Sequence, residues 1–212
     1  MIPENLIIVI GRQYGAGGRY VGRKLAERLN LDYYDKELLQ KAAGELGFST
    51  EVFSHADEKK PSFFHKIFLP SYGITGTYSP DPMSGEGIYR AQSNVISSIG
   101  EKGGCVIVGR TADHILRNHP HLISVFLHSP LPWRAKNIVK RGESDTEKKG
   151  IEIAYKKDKQ REAYYNYFTG KKWGTASNYD ITVDSSLISP DDLVDILATL
   201  IANKYNTKGE QK

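Results

Sequence analysis

Apolar residues along this 212-residue chain gather in short, nearly continuous runs at residues 6–10, 31–34, 105–108, 122–127 and 179–183. Runs of this length, rich in Val and Ile, predict strands buried on both faces. Between them apolar positions recur every three or four residues, which predicts helices near 19–29, 36–46, 112–118, 132–141 and 191–204. Strands alternating with helices imply an α/β fold, a parallel sheet covered on both faces whose ligands bind beyond the carboxyl ends of the strands. The pattern reads as one domain over residues 1–205, and residues 206–212 read as a frayed tail.

Two segments break the alternation. Residues 48–87 close on a stretch, 70–87, in which ten of eighteen residues are Pro, Gly or Ser, so a mobile loop that covers a substrate is expected there. Residues 142–173 are basic, with a helix predicted over about 146–168. Residues 140–172 carry ten Lys or Arg against six Asp or Glu, a surplus of four, which equals the net charge of +4 for the whole chain. The rest of the protein is therefore neutral, and the positive charge belongs to one segment.

Composition narrows the setting. The chain is 39% hydrophobic, enough for a sizeable core, and its single cysteine, Cys105, lies within an apolar run and reads as a small buried hydrophobe. A reducing, cytoplasmic location is the expectation. No apolar run approaches the roughly 18 to 20 residues of a membrane span, so no membrane partner is expected.

The richest chemistry follows the first strand, in the text V-I-G-R-Q-Y-G-A-G-G-R-Y-V-G-R at residues 9–23. Glycines at a strand-to-helix turn let successive N–H groups point inward, and the helix that follows offers its positive end to an anion. Gly15, Ala16, Gly17, Gly18, Arg19 and Tyr20 fit such a cradle. The dinucleotide pattern G-x-G-x-x-G fails, because its third glycine falls on Tyr20. The phosphate-loop pattern G-x-x-x-x-G-K-[ST] fits in part: Gly18 stands where lysine belongs, Arg19 where the hydroxyl belongs, and Arg12 at the first glycine. Arg12 or Arg19 is the candidate for the missing positive charge, although a planar guanidinium is no copy of an ammonium.

A second glycine and arginine, Gly109-Arg110-Thr111, follow the strand at 105–108. Taken together, the glycine loop, L-D-Y-Y-D-K-E-L-L, V-I-V-G-R, V-F-L-H-S-P and D-K-Q-R-E-A-Y-Y resemble the cytidylate-kinase-like branch of the P-loop nucleotide kinases, over most of the chain to about residue 201 and most weakly over 63–87. The resemblance implies a three-layer fold around a five-stranded parallel sheet, with a substrate-binding insertion and a helical lid. It also implies ATP as phosphoryl donor, with Mg2+ held mainly through phosphates and water, and a nucleotide or other small phosphorylated molecule as acceptor. In that family a G-R-D motif sends an arginine to the acceptor phosphate and an aspartate to its sugar; Arg110 matches the arginine, and Thr111 stands in place of the aspartate.

Within the basic segment Ala154, Asp158, Arg161, Tyr165 and Phe168 share one helical face. Asp158 and Arg161 among apolar neighbours read as a charged pair held against something, or as an i, i+3 helix pair worth about 0.2–0.5 kcal/mol. The family's lid helix carries arginines to the transferring phosphoryl group, a role Arg161 matches. A basic, tyrosine-rich helix also suits nucleic acid, but a surplus of four charges makes that the weaker reading. Asp35 reads as a helix cap, or as a group that takes the acceptor's proton or assists magnesium. Asp57 and Glu58 read as surface charges or as contacts to the sugar or base. The histidines show no metal-ligand spacing, and no protein metal site is expected. The expectation is therefore a phosphotransferase with Arg19, Arg110, Arg161 and Asp35 in its chemistry. Its rival is a nucleotide-binding, regulatory module that kept the fold and lost turnover. The acceptor's identity and self-association are left open.

Overall fold

The computed structural model describes residues 2–45 and 85–206. Five strands, β1 (Ile7–Arg12), β2 (Asp32–Tyr34), β3 (Cys105–Val108), β4 (Leu122–His128) and β5 (Ile181–Asp184), form one sheet in the order β2-β3-β1-β4-β5. Every pairing is parallel, with Ile10 opposite both Val108 and Val125. The central strand β1 is thus the one whose end lies between the ends of β3 and β4.

Alternation along β1 divides the core. Ile8 and Ile10 face α1 (Gly18–Leu29) and α7 (Pro190–Asn206), whereas Ile7 and Val9 face α2 (Lys36–Glu45) and α3 (Gly85–Lys102). Both faces of the strand are dry, which is why its sequence is continuously apolar. The sheet is followed in the chain by α4 (Ala112–Ile115) after β3, and by α5 (Leu131–Lys140) and α6 (Glu147–Thr169) after β4. Helices α5 and α6 pack closely: a side chain at Gly150 would sit 3.0 Å from the carbonyl oxygen of Ala135. Thr146 caps α6 by accepting from the N–H of Lys149 at 3.3 Å, and Gly170 ends it in the left-handed conformation.

The five strands and the helices α1, α2, α4, α5, α6 and α7 lie within two or three residues of the sequence expectation. Helix α3 is new, and residues 85–87, expected in the loop, form its first turn. Its glycines, serines and asparagine are weak helix formers, yet Ile88, Gln92, Val95, Ile96 and Ile99 are buried at helical spacing and tertiary packing decides the matter. The remainder of the expected insertion lies outside the described residues. No helix among the described residues is long and apolar enough to cross a membrane.

Ile96 is fully buried in the core face that α3 completes. Ile96→Ala should lower the unfolding free energy by about 2–5 kcal/mol, read from the midpoint of a urea titration at unchanged slope.

Candidate active site at the carboxyl ends of the strands

Past the end of β1 the N–H of Gln13 still donates to the carbonyl of Leu127 at 2.9 Å, and the Gln13 side chain accepts from the N–H of Ser129 at 3.0 Å. The chain then turns through Gly15 and Gly17, both in the left-handed region at φ 88° and 84°. Three consecutive carbonyls are fixed by side chains from other elements. Arg134 Nη1 donates to Tyr14 O at 3.0 Å, Asn137 Nδ2 to Gly15 O at 3.1 Å and Ser185 Oγ to Ala16 O at 2.8 Å. With the carbonyls committed, the N–H groups of Gly18, Arg19 and Tyr20 in the first turn of α1 have no hydrogen-bond partner among the described residues. Gly17, the N-cap, supplies no side-chain acceptor. A helix N-terminus left open in this way attracts an oxyanion through its orphan donors and its dipole together.

The Arg12 side chain packs against position 18, where the phosphate-loop pattern has lysine. A Cβ on Gly18 would lie 2.7 Å from Arg12 Cγ and 2.9 Å from its Cβ, and a Cβ on Gly109 would overlap the Arg12 guanidinium. The cation is therefore delivered from the strand, and its stem passes over position 18. Burial, then the charges of Arg161, Arg110 and Arg19, pull the Arg12 pKa well below its ordinary value. A guanidinium does not lose its proton in a protein, so the pull reflects a desolvated cation with like charges beside it, which an anion would relieve. Arg19 stands at the exposed rim, 3.8 Å from Glu37. The ring of Tyr20 leads away to α7, where its hydroxyl donates to Asp191 at 2.7 Å, which leaves only its N–H on the cradle side.

At the end of β3, Gly109, Arg110 and Thr111 take φ of 81°, 62° and 54° in succession. A β-branched residue in the left-handed region is strained, and such strain marks functional turns. Thr111 is buried and its hydroxyl donates back to the carbonyl of Arg110 at 2.6 Å. The turn brings the next acid, Asp113, to a cavity of about 60 Å³ shared with Arg12, Arg110, Arg161 and Trp173. Asp113 accepts from Tyr165 Oη at 2.8 Å, and burial pushes its carboxyl up from the ordinary range. Asp113 was not legible as a site residue, because nothing in its spacing sets it apart from a surface acid on a short helix.

Helix α6 meets the loop through two side chains. Arg161 Nη1 donates to the carbonyl of Arg12 at 3.0 Å, and its guanidinium lies 5.1 Å from the centre of the Tyr14 ring. Asp158 accepts from the N–H of Tyr14 at 2.7 Å and from Arg134 Nη1 at 2.6 Å. The expected Asp158–Arg161 pair is thus secondary, at 4.0 Å, and the principal partner of Asp158 is Arg134 on α5. Burial outweighs these bonds and leaves the Asp158 carboxyl above its usual range. Asp35 is buried and caps α2, its Oδ1 accepting from the N–H of Glu37 at 3.1 Å and of Leu38 at 3.2 Å. Asp57 and Glu58 lie outside the described residues. Among the described residues no cluster of three or more His, Cys, Asp or Glu has a metal-binding arrangement.

Arg134 is almost wholly buried, and besides Asp158 and Tyr14 it holds the carbonyl of Ser129 at 2.9 Å. Arg134→Ala would leave a carboxylate and two carbonyls without this donor. It should cost about 3–5 kcal/mol, measured by denaturant unfolding.

This arrangement of loop, sheet and helices has close parallels. The profile of the cytidylate kinase-like family matches residues 7–187. Named cytidylate kinases from Methanosarcina barkeri (strain Fusaro / DSM 804) and Pyrococcus horikoshii are 27% identical over 187 residues and 24% identical over 202. These alignments cover 88% and 95% of this chain and 91% of each relative. An uncharacterised protein from Eubacterium ventriosum, solved by crystallography, superposes with a TM-score of 0.67 at 29% identity, covering 93% of this chain and 98% of that one. The shikimate kinase of Bacteroides thetaiotaomicron, at TM-score 0.55 and 12% identity over 93% of this chain and 98% of its own, shares the fold. With the profile spanning most of the sequence, the protein belongs to the cytidylate kinase-like family of the P-loop kinase fold.

Proposed function

We propose that the protein transfers the γ-phosphoryl group of ATP to a small phosphorylated acceptor, with nucleoside monophosphates as the first class to test. The observation that carries this reading is the convergence of Arg19, Arg110 and Arg161 on Arg12, beside a helix N-terminus whose first N–H groups are unengaged. Positive charge gathered in this way is suited to two anionic groups brought together. The named activity of the cytidylate kinases that resemble this chain points the same way.

In this reading the N–H groups of Gly18, Arg19 and Tyr20, with Arg12, hold the β- and γ-phosphates of ATP. Arg110 holds the acceptor phosphate at the end of β3. An oxygen of that phosphate attacks the γ-phosphorus, a P–O bond forms, and the bond to the bridging oxygen breaks to release ADP. Arg161, carried on residues 142–173 acting as a lid, neutralises charge on the equatorial oxygens. Mg2+ would be held mainly by phosphate oxygens and water, and the chemistry it would supply is neutralisation of phosphate charge. Asp35 serves as the cap of α2 and supports the end of β2 beside the site.

One observation favours the rival, a nucleotide-binding module without turnover: the N–H of Tyr14 is already committed to Asp158, in a loop that also lacks lysine. The two are separated by incubating the protein with ATP, Mg2+ and a panel of nucleoside monophosphates. Acceptor-dependent ADP release is the expected result, and ATP binding with no such release overturns the proposal.

Two sets of variants test the assignments. Arg110→Ala should raise the acceptor KM roughly tenfold or more, the scale of a lost charge-assisted hydrogen bond, with the KM for ATP little changed. Gly18→Lys, which restores the usual loop text, should weaken ATP binding, because the lysine Cβ would overlap the Arg12 stem. Pairing it with Arg12→Gly should recover affinity, read by calorimetric titration.

A further inference from the structure

Helix α7 presents two faces. One enters the core through Leu193, Leu197 and Ile201, and its flank meets α1, where Asp191 accepts from Tyr20 Oη at 2.7 Å and Asp195 pairs with Arg28 at 3.3 Å. The other carries Asp192, Ile196, Leu200 and Lys204, each four residues after the last and all exposed. Steps of four residues form a single ridge on a helix surface. Ile196 and Leu200, at its middle, keep 45% and 49% of their surface in water. Asp195 and Thr199 form the neighbouring row, and the groove between the two rows is a shallow concavity of about 280 Å³ lined by Asp195, Ile196, Thr199 and Leu200. Ridge and groove thus lie side by side on one helix.

The helix dipole accounts for an acid in the first turn and a base in the last. It does not account for two large aliphatic side chains left in water between them. A ridge that reads acid, aliphatic, aliphatic, base is its own complement when reversed, which is the property a two-fold interface requires. We propose that this ridge is the interface of a symmetric homodimer, in which two copies of α7 pack antiparallel about an axis between Ile196 and Leu200. Each ridge then seats in the groove of the other copy, with Ile196 against Leu200 of the partner copy and Asp192 facing its Lys204. Like rows interdigitate at a crossing angle near −50°, which lays the two ridges along one direction and keeps their charged ends within reach. The charges are available for this. Asp192 Oδ2 accepts from Ser189 Oγ at 2.7 Å and its other oxygen has no partner among the described residues, while Lys204 makes no ion pair there and lies 5.9 Å from the centre of the Tyr205 ring. One helix per copy is a small interface, below the roughly 1,200 Å² of standard complexes, so the dimer forms and dissociates with concentration. The inference does not depend on the phosphotransferase reading.

The test is sedimentation of the full chain over a loading series from micromolar to submillimolar. The average mass of the wild type should rise toward twice that of one chain. Leu200→Glu sets a carboxylate into the partner's groove and should weaken association roughly tenfold or more, with the far-ultraviolet dichroism unchanged because the position faces water. Asp192→Lys and Lys204→Asp each bring like charges together at both ends of the interface, and each should self-associate several-fold more weakly than the wild type. Mixed in equal amounts, the two variants oppose lysine to aspartate at both ends, and association should return to the wild-type level. From a net charge of +4 the variants stand at +6 and +2, so no overall attraction draws them together. Weakening in each variant with recovery in the mixture is the signature of the antiparallel register. A wild type that stays monomeric throughout overturns the proposal, and leaves the ridge to a different protein or to water. A dimer that Leu200→Glu leaves intact overturns it as well, because the contact then lies elsewhere. So does a mixture that associates no better than its components, a reading that stands even where Leu200→Glu fails to fold.

Discussion

The site depends on one close approach. Arg12 leaves the last position of β1 and passes through space that exists only because residues 18 and 109 have no side chains. Its stem lies over Gly18 in the first turn of α1, and its guanidinium lies against Gly109 in the turn after β3. A side chain at position 18 would collide with Cβ and Cγ of Arg12, which the strand fixes, and one at position 109 would displace the guanidinium and strain a backbone at φ 81°. The pairing of Ile10 with Val108 and of Arg12 with Leu127 sets where that guanidinium emerges. The sheet register and the position of the positive charge are therefore the same constraint.

Concentrating guanidiniums at one end of the sheet requires compensation. Part comes from the backbone, since Arg161 is bonded to the carbonyl of Arg12 itself, and Arg134 to those of Tyr14 and Ser129. Part comes from the ring of Tyr14, which has Arg161 at 5.1 Å and Arg141 at 5.6 Å from its centre. Behind the loop a carboxylate contributes, where Asp158 meets Arg134. The side that faces the cradle keeps its positive charge, because a carboxylate placed there would compete with any phosphate.

These arrangements were legible in the sequence to different depths. The strands announce themselves because residues 7–10 of β1 and all of β3 are buried and apolar. The glycine loop is also plain, because only backbone geometry explains Gly15, Gly17 and Gly18 so close together. The helix α3 is obscured by residues of low propensity whose burial comes from contacts distant in sequence. Arg134 and Asn137 look like polar positions of an amphipathic helix, and nothing local tells that they hold the carbonyls of a loop 120 residues earlier. Asp158 is visible on the right face of α6, but i, i+3 spacing suggests Arg161 as partner, and only the packing of α5 against α6 brings Arg134 closer. Asp113 is hidden for a related reason, since a strained turn redirects a short helix that sequence can place but cannot aim.

The same bonds make the loop and α6 a single mechanical unit. Tyr14 gives its N–H to Asp158 and its carbonyl to Arg134, which are themselves paired, so the residue is clamped on both sides. Arg161, one turn further along α6, holds the carbonyl of the residue that supplies the cradle's cation. A displacement of α6 large enough to admit a ligand cannot leave the loop undisturbed: it breaks the bonds of Asp158 to Tyr14 and of Arg161 to Arg12 together. It would free the Tyr14 N–H beside the other loop donors and release the Arg161 guanidinium from a backbone oxygen. The first change would add positive potential where a phosphate would lie, and the second would leave a guanidinium able to bond an anion instead. Opening the helix and strengthening the cradle are thus opposite sides of one exchange, in which an anion can take over the donors that α6 gives up.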